Sequence, residues 1–316
     1  MSQTPYAIEA RGLQKIYAAS GKSPEKHALK GLDLAIPKGS IFGLLGPNGA
    51  GKSTFINILA GLVIKTSGVV RIWDTDIDKD HRAAKAAIGI VPQEISFDAF
   101  FTPFETLELQ AGFYGVPPKE RRSMELLEAV GLADKRDTYS RLLSGGMKRR
   151  LLIAKALVHN PPVVILDEPT AGVDVELRRS LWDYVTMLNK ERGVTIVLTT
   201  HYLEEAQELC DNIAIIDQGQ LIACEPTAKL LTRLDRKAVV ITPVEALKQI
   251  PAGLNGLDTV LRPDGSLAIH YRPKEQSVEA LLTQAMGSGV QIRDLRIEEP
   301  NLEDVFVSLT SPAGGR

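Results

Sequence analysis

The chain has 316 residues, of which 44% are hydrophobic and 24% are charged. A domain usually takes about 100–200 residues, so this length predicts two domains with enough apolar residues for sizeable cores. The 37 lysines and arginines nearly balance the 39 aspartates and glutamates, leaving a formal net charge of -2. Such a chain has no general attraction to polyanions, and we expect no nucleic-acid partner.

The cysteine content and the apolar patterning indicate the compartment. Cys210 and Cys224 are too few for a disulfide framework and lack CxxC spacing, which favours a reducing environment. The first 17 residues lack the continuous apolar core of a signal peptide. The longest apolar stretch, residues 55–64, is far shorter than the ~20 residues of a membrane-spanning helix. We therefore expect a cytoplasmic protein, and at a membrane another chain must supply the spans.

Up to about Ile222, short β-rich runs alternate with helical patterns, which predicts a mostly parallel sheet covered by helices. Two early runs, residues 7–17 and 29–36, are predicted as antiparallel edge strands. A helical subdomain is predicted at about residues 97–158. The strands predicted for the parallel sheet are residues 41–45, 88–91, 163–166, 195–199 and 213–216.

Beyond Ile222 the pattern changes to that of a small α+β domain. We therefore predict an α/β domain at residues 1–225 and an accessory domain at residues 226–316. The predicted elements of the accessory domain are strands at 237–242, 266–271 and 291–297 and helices at 278–286 and 301–309.

A glycine-rich segment lies between a predicted buried strand and a predicted helix, which is the setting of a phosphate-binding P-loop. Its glycines let backbone N–H groups approach phosphates, and the helix N-terminus adds a positive dipole. Lys52 would bridge the outer phosphates, and Ser53 would hold Mg²⁺. A glycine-rich turn that binds nothing is the alternative. The segment consists of Gly46, Pro47, Asn48, Gly49, Ala50, Gly51, Lys52, Ser53 and Thr54.

Two carboxylates follow the predicted strand 163–166, at the sheet edge where ligands of open α/β folds collect. Asp167 is a candidate Mg²⁺ ligand through its water shell. Glu168 is a candidate general base for a water that attacks a phosphate. His201 and Gln93 follow two other predicted strands, so His201 could contact the γ-phosphate, and Gln93 could reach Mg²⁺ and the water. An acidic pair or a single histidine at a strand end is otherwise common in solvated turns.

A further motif begins at Leu143 and continues through Ser144, Gly145, Gly146 and Met147. With the P-loop, Gln93, the carboxylate pair, residues 171–174 and His201 in this order, the chain resembles the nucleotide-binding subunit of ATP-binding cassette (ABC) transporters over about residues 13–219. The resemblance implies ATP and Mg²⁺ as cofactors and adenine stacking on Tyr17. It further implies a head-to-tail dimer in which Asp174 crosses the interface and Ser144, Gly145 and Gly146 contact the partner's ATP. An ordinary capped basic helix is the alternative for this motif.

Two variations point to a subfamily. Met147 replaces the frequent glutamine of the motif, and a basic run follows it. Together with residues 301–306, this variant resembles the ATPases of ABC-2 type permeases, which export drugs, lipids or polysaccharides. The resemblance implies such a permease as partner and a peripheral position on the inner face of the cell membrane. An importer ATPase with a regulatory C-terminal domain, and more remotely a soluble ABC ATPase without a transport role, remain alternatives.

Four of the eight phenylalanines lie within eight residues: Phe97, Phe100, Phe101 and Phe104. Clustered aromatic rings require an apolar partner, which is either the helical subdomain or a helix of another chain. By resemblance to the family, this is where the coupling helix of the permease docks. Both interpretations stay open on the sequence alone.

Overall fold

The computed structural model describes residues 5–19, 24–95, 98–170, 175–234 and 236–310, apart from the side chains of residues 176 and 177. The chain divides into two units between Thr227 and Ala228. The strands of the first unit are β1 (Tyr6–Tyr17), β2 (Lys26–Pro37), β3 (Ile41–Leu45), β4 (Ser67–Ile72), β5 (Thr75–Asp76), β6 (Ile88–Val91), β7 (Val163–Asp167), β8 (Thr195–Thr199), β9 (Asn212–Asp217) and β10 (Gln220–Pro226). The helices before the division are α1 (Lys52–Leu59), α2 (His81–Ala86), α3 (Pro103–Phe113), α4 (Ser123–Ala129), α5 (Gly145–Leu157), α6 (Val175–Arg192) and α7 (Leu203–Leu209), and α8 (Thr227–Leu231) begins at the division.

The central sheet of the first unit has six strands in the order β10-β9-β3-β8-β7-β6. All neighbouring pairs from β9 to β6 are parallel, and β10 is antiparallel to β9. Every residue of β3 and β8 is buried, as the continuous apolar character of parallel strands requires. The five strands predicted for this sheet are all present, so the α/β architecture is confirmed.

The two long N-terminal strands differ from the prediction. They are antiparallel to each other, but they belong to a separate four-stranded sheet in the order β2-β1-β4-β5 rather than to the edges of the parallel sheet. Burial alternates over part of β2, whereas β1 buries four consecutive residues. The sequence pattern does not show which sheet these strands join, because that depends on β4, which the sequence analysis did not predict. The antiparallel edge strand of the central sheet is β10.

The predicted helical subdomain contains α3, α4 and α5, which follow clear local signals. Thr102 caps α3 by accepting a hydrogen bond from Glu105 N at 3.2 Å, and Glu105 Oε2 accepts one from Thr102 N at 2.8 Å. This reciprocal capping, with Pro103 at the first helical position, specifies the helix start. At the start of α5, the side chain of Ser144 accepts a hydrogen bond from Met147 N at 3.2 Å.

The second unit contains one antiparallel sheet in the order β12-β13-β11-β14. Its apolar core contains Val239 and Ile241 of one strand and Leu281 and Ala285 of a helix. A short strand, β12, was not predicted. The elements of this unit are β11 (Lys237–Pro243), β12 (Asp258–Leu261), β13 (Leu267–Tyr271), α9 (Val278–Gly287), β14 (Ile292–Glu298) and α10 (Leu302–Thr310).

The division between the units falls two residues later than the sequence boundary at 225/226. β10 continues to Pro226, and Thr227 N donates to Asp211 O at 2.9 Å, which ties these residues to the first unit. Throughout the described ranges, every helix is too short or too polar to cross a bilayer.

Candidate functional site

The glycine-rich segment forms the turn between β3 and α1. At Gly46 the φ angle is 156°, and an added Cβ would lie 2.1 Å from the carbonyl oxygen of Ile216. At Gly51 the φ angle is 115°, and a Cβ would lie 2.7 Å from Ala28 O. Any larger residue at either position would displace backbone, so the loop shape depends on glycine.

The N-terminus of α1 is suited to bind an anion. Gly51 is its N-cap, and among the described residues no side chain caps the helix and no acidic residue lies in its first turn. The free N–H groups and the helix dipole both favour negative charge there. Lys52 Nζ donates to Gly46 O at 2.6 Å and to Pro47 O at 3.2 Å, so the ammonium group lies within the loop. Burial lowers the pKa of Lys52, and the charges of Glu168 and Asp167 oppose that shift.

The carboxylate pair lies at the carboxyl end of β7, and Thr199 of the neighbouring β8 fixes both residues. Thr199 Oγ1 donates to Asp167 Oδ1 at 2.5 Å, and Glu168 N donates to Thr199 Oγ1 at 3.1 Å and to Thr199 O at 3.1 Å. These bonds hold Glu168 at a φ of 46°, a left-handed conformation that such residues rarely adopt. The sequence analysis missed Thr199, although its position two residues before His201 was a usable signal.

Three residues that are far apart in the sequence meet at Glu168. Gln93 Nε2 donates to Glu168 Oε2 at 2.8 Å, and His201 Nδ1 lies 3.5 Å from the same oxygen. Gln93 follows β6, Glu168 follows β7 and His201 follows β8, and these three strands are neighbours in the sheet. The structure thus brings together three candidate groups of the sequence analysis: the general base Glu168, Gln93 for Mg²⁺ and the water, and His201 for the γ-phosphate.

A cleft of about 560 Å³ connects this cluster to the P-loop. Lys26 and Ala28 of β2 also line it, and they were missed, although Lys26 pairs directly with Tyr17. The Tyr17 side chain contributes to one end of the cleft, with Lys15 Nζ 4.7 Å from its ring centroid. The residues that line the cleft are Tyr17, Lys26, Ala28, Asn48, Gly49, Ala50, Gly51, Lys52, Ser53, Thr54, Gln93, Asp167, Glu168 and His201.

The donor atoms in the cleft fit a magnesium ion that arrives with a nucleotide. Ser53, Gln93 and Asp167 offer hydroxyl, amide and carboxylate oxygens, which are the ligands that Mg²⁺ prefers. Gln93 uses its nitrogen Nε2 to contact Glu168, which leaves its single amide oxygen Oε1 for a metal ion. Asp167 uses Oδ1 to contact Thr199, which leaves Oδ2. Among the described residues no group of three or more His, Cys, Asp or Glu side chains could form a metal cage, and Mg²⁺ usually combines one or two carboxylates with substrate phosphates.

Other predicted site residues lie apart from the cleft. Ser144 and Gly145 at the start of α5 are exposed and do not line the cleft. A Cβ added at Gly145 would have no neighbouring atom within 4 Å. Gly146 also does not line it. Asp174 lies outside the described residues.

Comparison with known proteins identifies the family. The family model described as ABC transporter matches residues 29–171. The linearmycin resistance ATP-binding protein of Bacillus subtilis (strain 168) is 38% identical over 315 residues, which cover 96% of this chain and 98% of that protein. The Nod factor export ATP-binding protein I of Paraburkholderia xenovorans (strain LB400) is 38% identical over 312 residues, covering 96% of this chain and 97% of that protein.

A solved structure extends the comparison to the fold. The dimeric post-hydrolysis state of an ATP-binding cassette bound to ADP and Pi aligns with a TM-score of 0.63 and 29% identity, covering 70% of this chain and 98% of that one. The curated relatives cover 96% of the chain, so they match its second unit as well. The chain therefore belongs to the ABC transporter family, as one of its ATP-binding and ATP-hydrolysing subunits.

Proposed function

We propose that this chain uses Mg²⁺-dependent ATP hydrolysis to drive export through a separate membrane permease of the ABC-2 type. The observation that carries the hydrolytic part is the meeting of Gln93, Glu168 and His201 at one end of a cleft whose other wall is the P-loop. The cleft thus combines phosphate-binding groups with a carboxylate that can activate water.

Each part of the cleft has a distinct role in this proposal. Tyr17 stacks on adenine, and the loop from Gly46 to Thr54 binds the phosphates with Lys52 at the outer ones. Ser53, Gln93 and Asp167 would hold Mg²⁺, which would neutralise charge on the phosphate oxygens.

The chemical step requires a positioned base. Glu168 accepts a proton from water as the water oxygen attacks the γ-phosphorus and the bond to the β-phosphate oxygen breaks, giving ADP and phosphate. Gln93 orients the Glu168 carboxylate through the 2.8 Å hydrogen bond. His201 lies beside the same carboxylate and donates to the γ-phosphate.

We further propose that two copies form a head-to-tail dimer. The exposed N-terminus of α5, with Ser144, Gly145 and Gly146, has an uncovered approach for an anion but lies outside the chain's own cleft. A second copy supplies the ATP phosphates that this helix binds, and Asp174 crosses the same interface.

The export direction and the partner class rest on similarity and on one surface. Two relatives are named for linearmycin resistance and for Nod factor export, which supports a drug, lipid or polysaccharide as the exported class. Phe100 is 72% exposed and Phe101 is 37% exposed, and Phe104 is half-buried, whereas Phe97 lies outside the described residues. The exposed rings favour docking of a permease helix, which would hold the chain at the inner, cytoplasmic face of the membrane.

The double variant Phe100→Ser, Phe101→Ser should be uncoupled from the permease. The two rings lose their apolar contact, so we expect co-purification in detergent with the membrane partner to fall strongly, together with transport. ATP binding and melting temperature should stay near wild type, because exposed substitutions usually change stability by less than about 0.5 kcal/mol.

Phe113→Ser is the matched control, because that ring is 74% exposed at the far end of α3. An equal loss of co-purification in the control would contradict docking at the aromatic cluster. Recovery of an importer permease with a binding protein would overturn the export proposal itself.

The second unit is proposed to modulate the ATPase without contributing to its chemistry. All residues that line the nucleotide cleft precede Thr227. A chain that ends at Thr227 should therefore bind a fluorescent ATP analogue with an affinity within a few-fold of the full chain, while its dimerisation or basal turnover changes. A folded truncated chain that binds no nucleotide would disprove this division of roles.

A further inference from the structure

Arg149 is a buried arginine in the second turn of α5. Only 3% of the residue is exposed, although arginines are almost never fully buried unless they are paired. Its guanidinium donates from Nη1 to Pro92 O at 2.8 Å and from Nη2 to Gln93 O at 3.0 Å. Burial lowers the pKa of Arg149, and the charges of Asp167 and Glu168 oppose that shift.

The two carbonyls belong to the segment that carries Gln93. A planar guanidinium can bond two acceptors at once with fixed geometry, which a lysine ammonium on its flexible chain does not reproduce. These two bonds restrain the peptide groups on both sides of the Gln93 Cα atom, and therefore the point from which the Gln93 side chain starts. That side chain then reaches Glu168 Oε2 at 2.8 Å.

Arg149 also lies close to the start of α5. Ser144 caps the helix five residues before Arg149, a distance of about 7.5 Å along a helix that behaves as a rigid rod. Any contact that moves the N-terminus of α5 therefore moves Arg149 and the carbonyls bound to it.

We propose that Arg149 is a positioning residue that sets the reach of Gln93 to Glu168, so that hydrolysis in a chain's own cleft depends on the position of its α5 helix. This inference rests on the proposed function, because Glu168 must be the base that activates water. The proposal gives Arg149 a role in turnover rather than in nucleotide affinity.

The chain offers a closely matched control in Arg150. Its Nη1 donates to Val130 O at 3.0 Å and to Gly131 O at 3.2 Å, which are also two consecutive carbonyls. These lie at the end of α4, away from the nucleotide cleft. Arg150 thus makes a similar structural contribution from the same helix without touching the Gln93 segment.

The first test compares lysine and methionine at both positions. Arg149→Lys and Arg149→Met should lower kcat for ATP by about tenfold to a hundredfold, the effect of small misplacements of catalytic groups. The dissociation constant of a fluorescent ATP analogue should change much less, and Arg150→Lys and Arg150→Met should lower Tm with little change in kcat. If kcat falls in proportion to Tm in both series, Arg149 is only structural and the proposal is wrong.

A double-mutant cycle with Gln93→Ala tests the route of the effect. If Arg149 acts through Gln93, the Arg149→Lys loss in kcat should largely disappear in the Gln93→Ala background, because coupled residues are not additive. Arg150→Lys should change kcat little in both backgrounds. Single-turnover rates keep the slow variants measurable, and additive losses for Arg149 would overturn the proposal. A wild-type chain without ATPase activity would instead refute the proposed function.

Discussion

The Glu168→Gln variant is expected to lose ATP hydrolysis by about 10²- to 10⁴-fold, the contribution of a general base, and to keep its affinity for ATP. Glutamine has the shape of glutamate and can still accept the hydrogen bond from Gln93 Nε2 that Glu168 accepts at 2.8 Å. It cannot accept the proton of the attacking water. Steady-state phosphate release and binding of a fluorescent ATP analogue would measure the two properties separately.

Glu94→Gln is the control for this prediction. Glu94 is an exposed glutamate beside Gln93 and does not line the cleft, so its replacement should leave turnover near wild type. Normal turnover in Glu168→Gln would remove the assignment of the base. Loss of ATP binding would instead show that the carboxylate acts in the ground state as well.

Mixing two inactive variants should restore ATP hydrolysis if the dimer is head to tail. Lys52→Ala damages the P-loop side of a site, and Ser144→Arg damages the α5 side. A mixed dimer has one site with both defects and one intact site, whereas dimers of either variant alone have no intact site. Free exchange of subunits would leave roughly a quarter of the wild-type number of sites intact.

The control mixes Lys52→Ala with Glu168→Gln. Both changes affect the same side of a composite site, so no mixed dimer contains an intact one, and no activity should return. The phosphate-release rate of the first mixture should also rise more than linearly with protein concentration. The composite site is wrong if the Lys52→Ala and Ser144→Arg mixture gains nothing beyond the sum of its parts.

The local structures of this protein could be predicted from its amino-acid sequence. The P-loop could be recognised because strand, glycine turn and helix are adjacent in the chain. Its shape depends on glycine because all three of its glycines have positive φ angles that other residues rarely adopt. The five parallel strands of the central sheet could be predicted because burial on both faces requires continuous apolar runs, whereas the antiparallel edge strand β10 was not predicted. The starts of α3 and α5 follow from capping residues within one turn.

Which of these local elements are neighbours depends on the tertiary fold. Strand order places β6 beside β7 and β7 beside β8, and this order brings Gln93 and His201 to Glu168 from 75 and 33 positions away in the sequence. The sequence pattern could not assign β1 and β2 to a separate sheet, and it did not reveal Thr199 and Arg149 as supports of the cluster. The periodicity of apolar residues indicates which face of an element is buried, but it does not indicate which other element packs against that face.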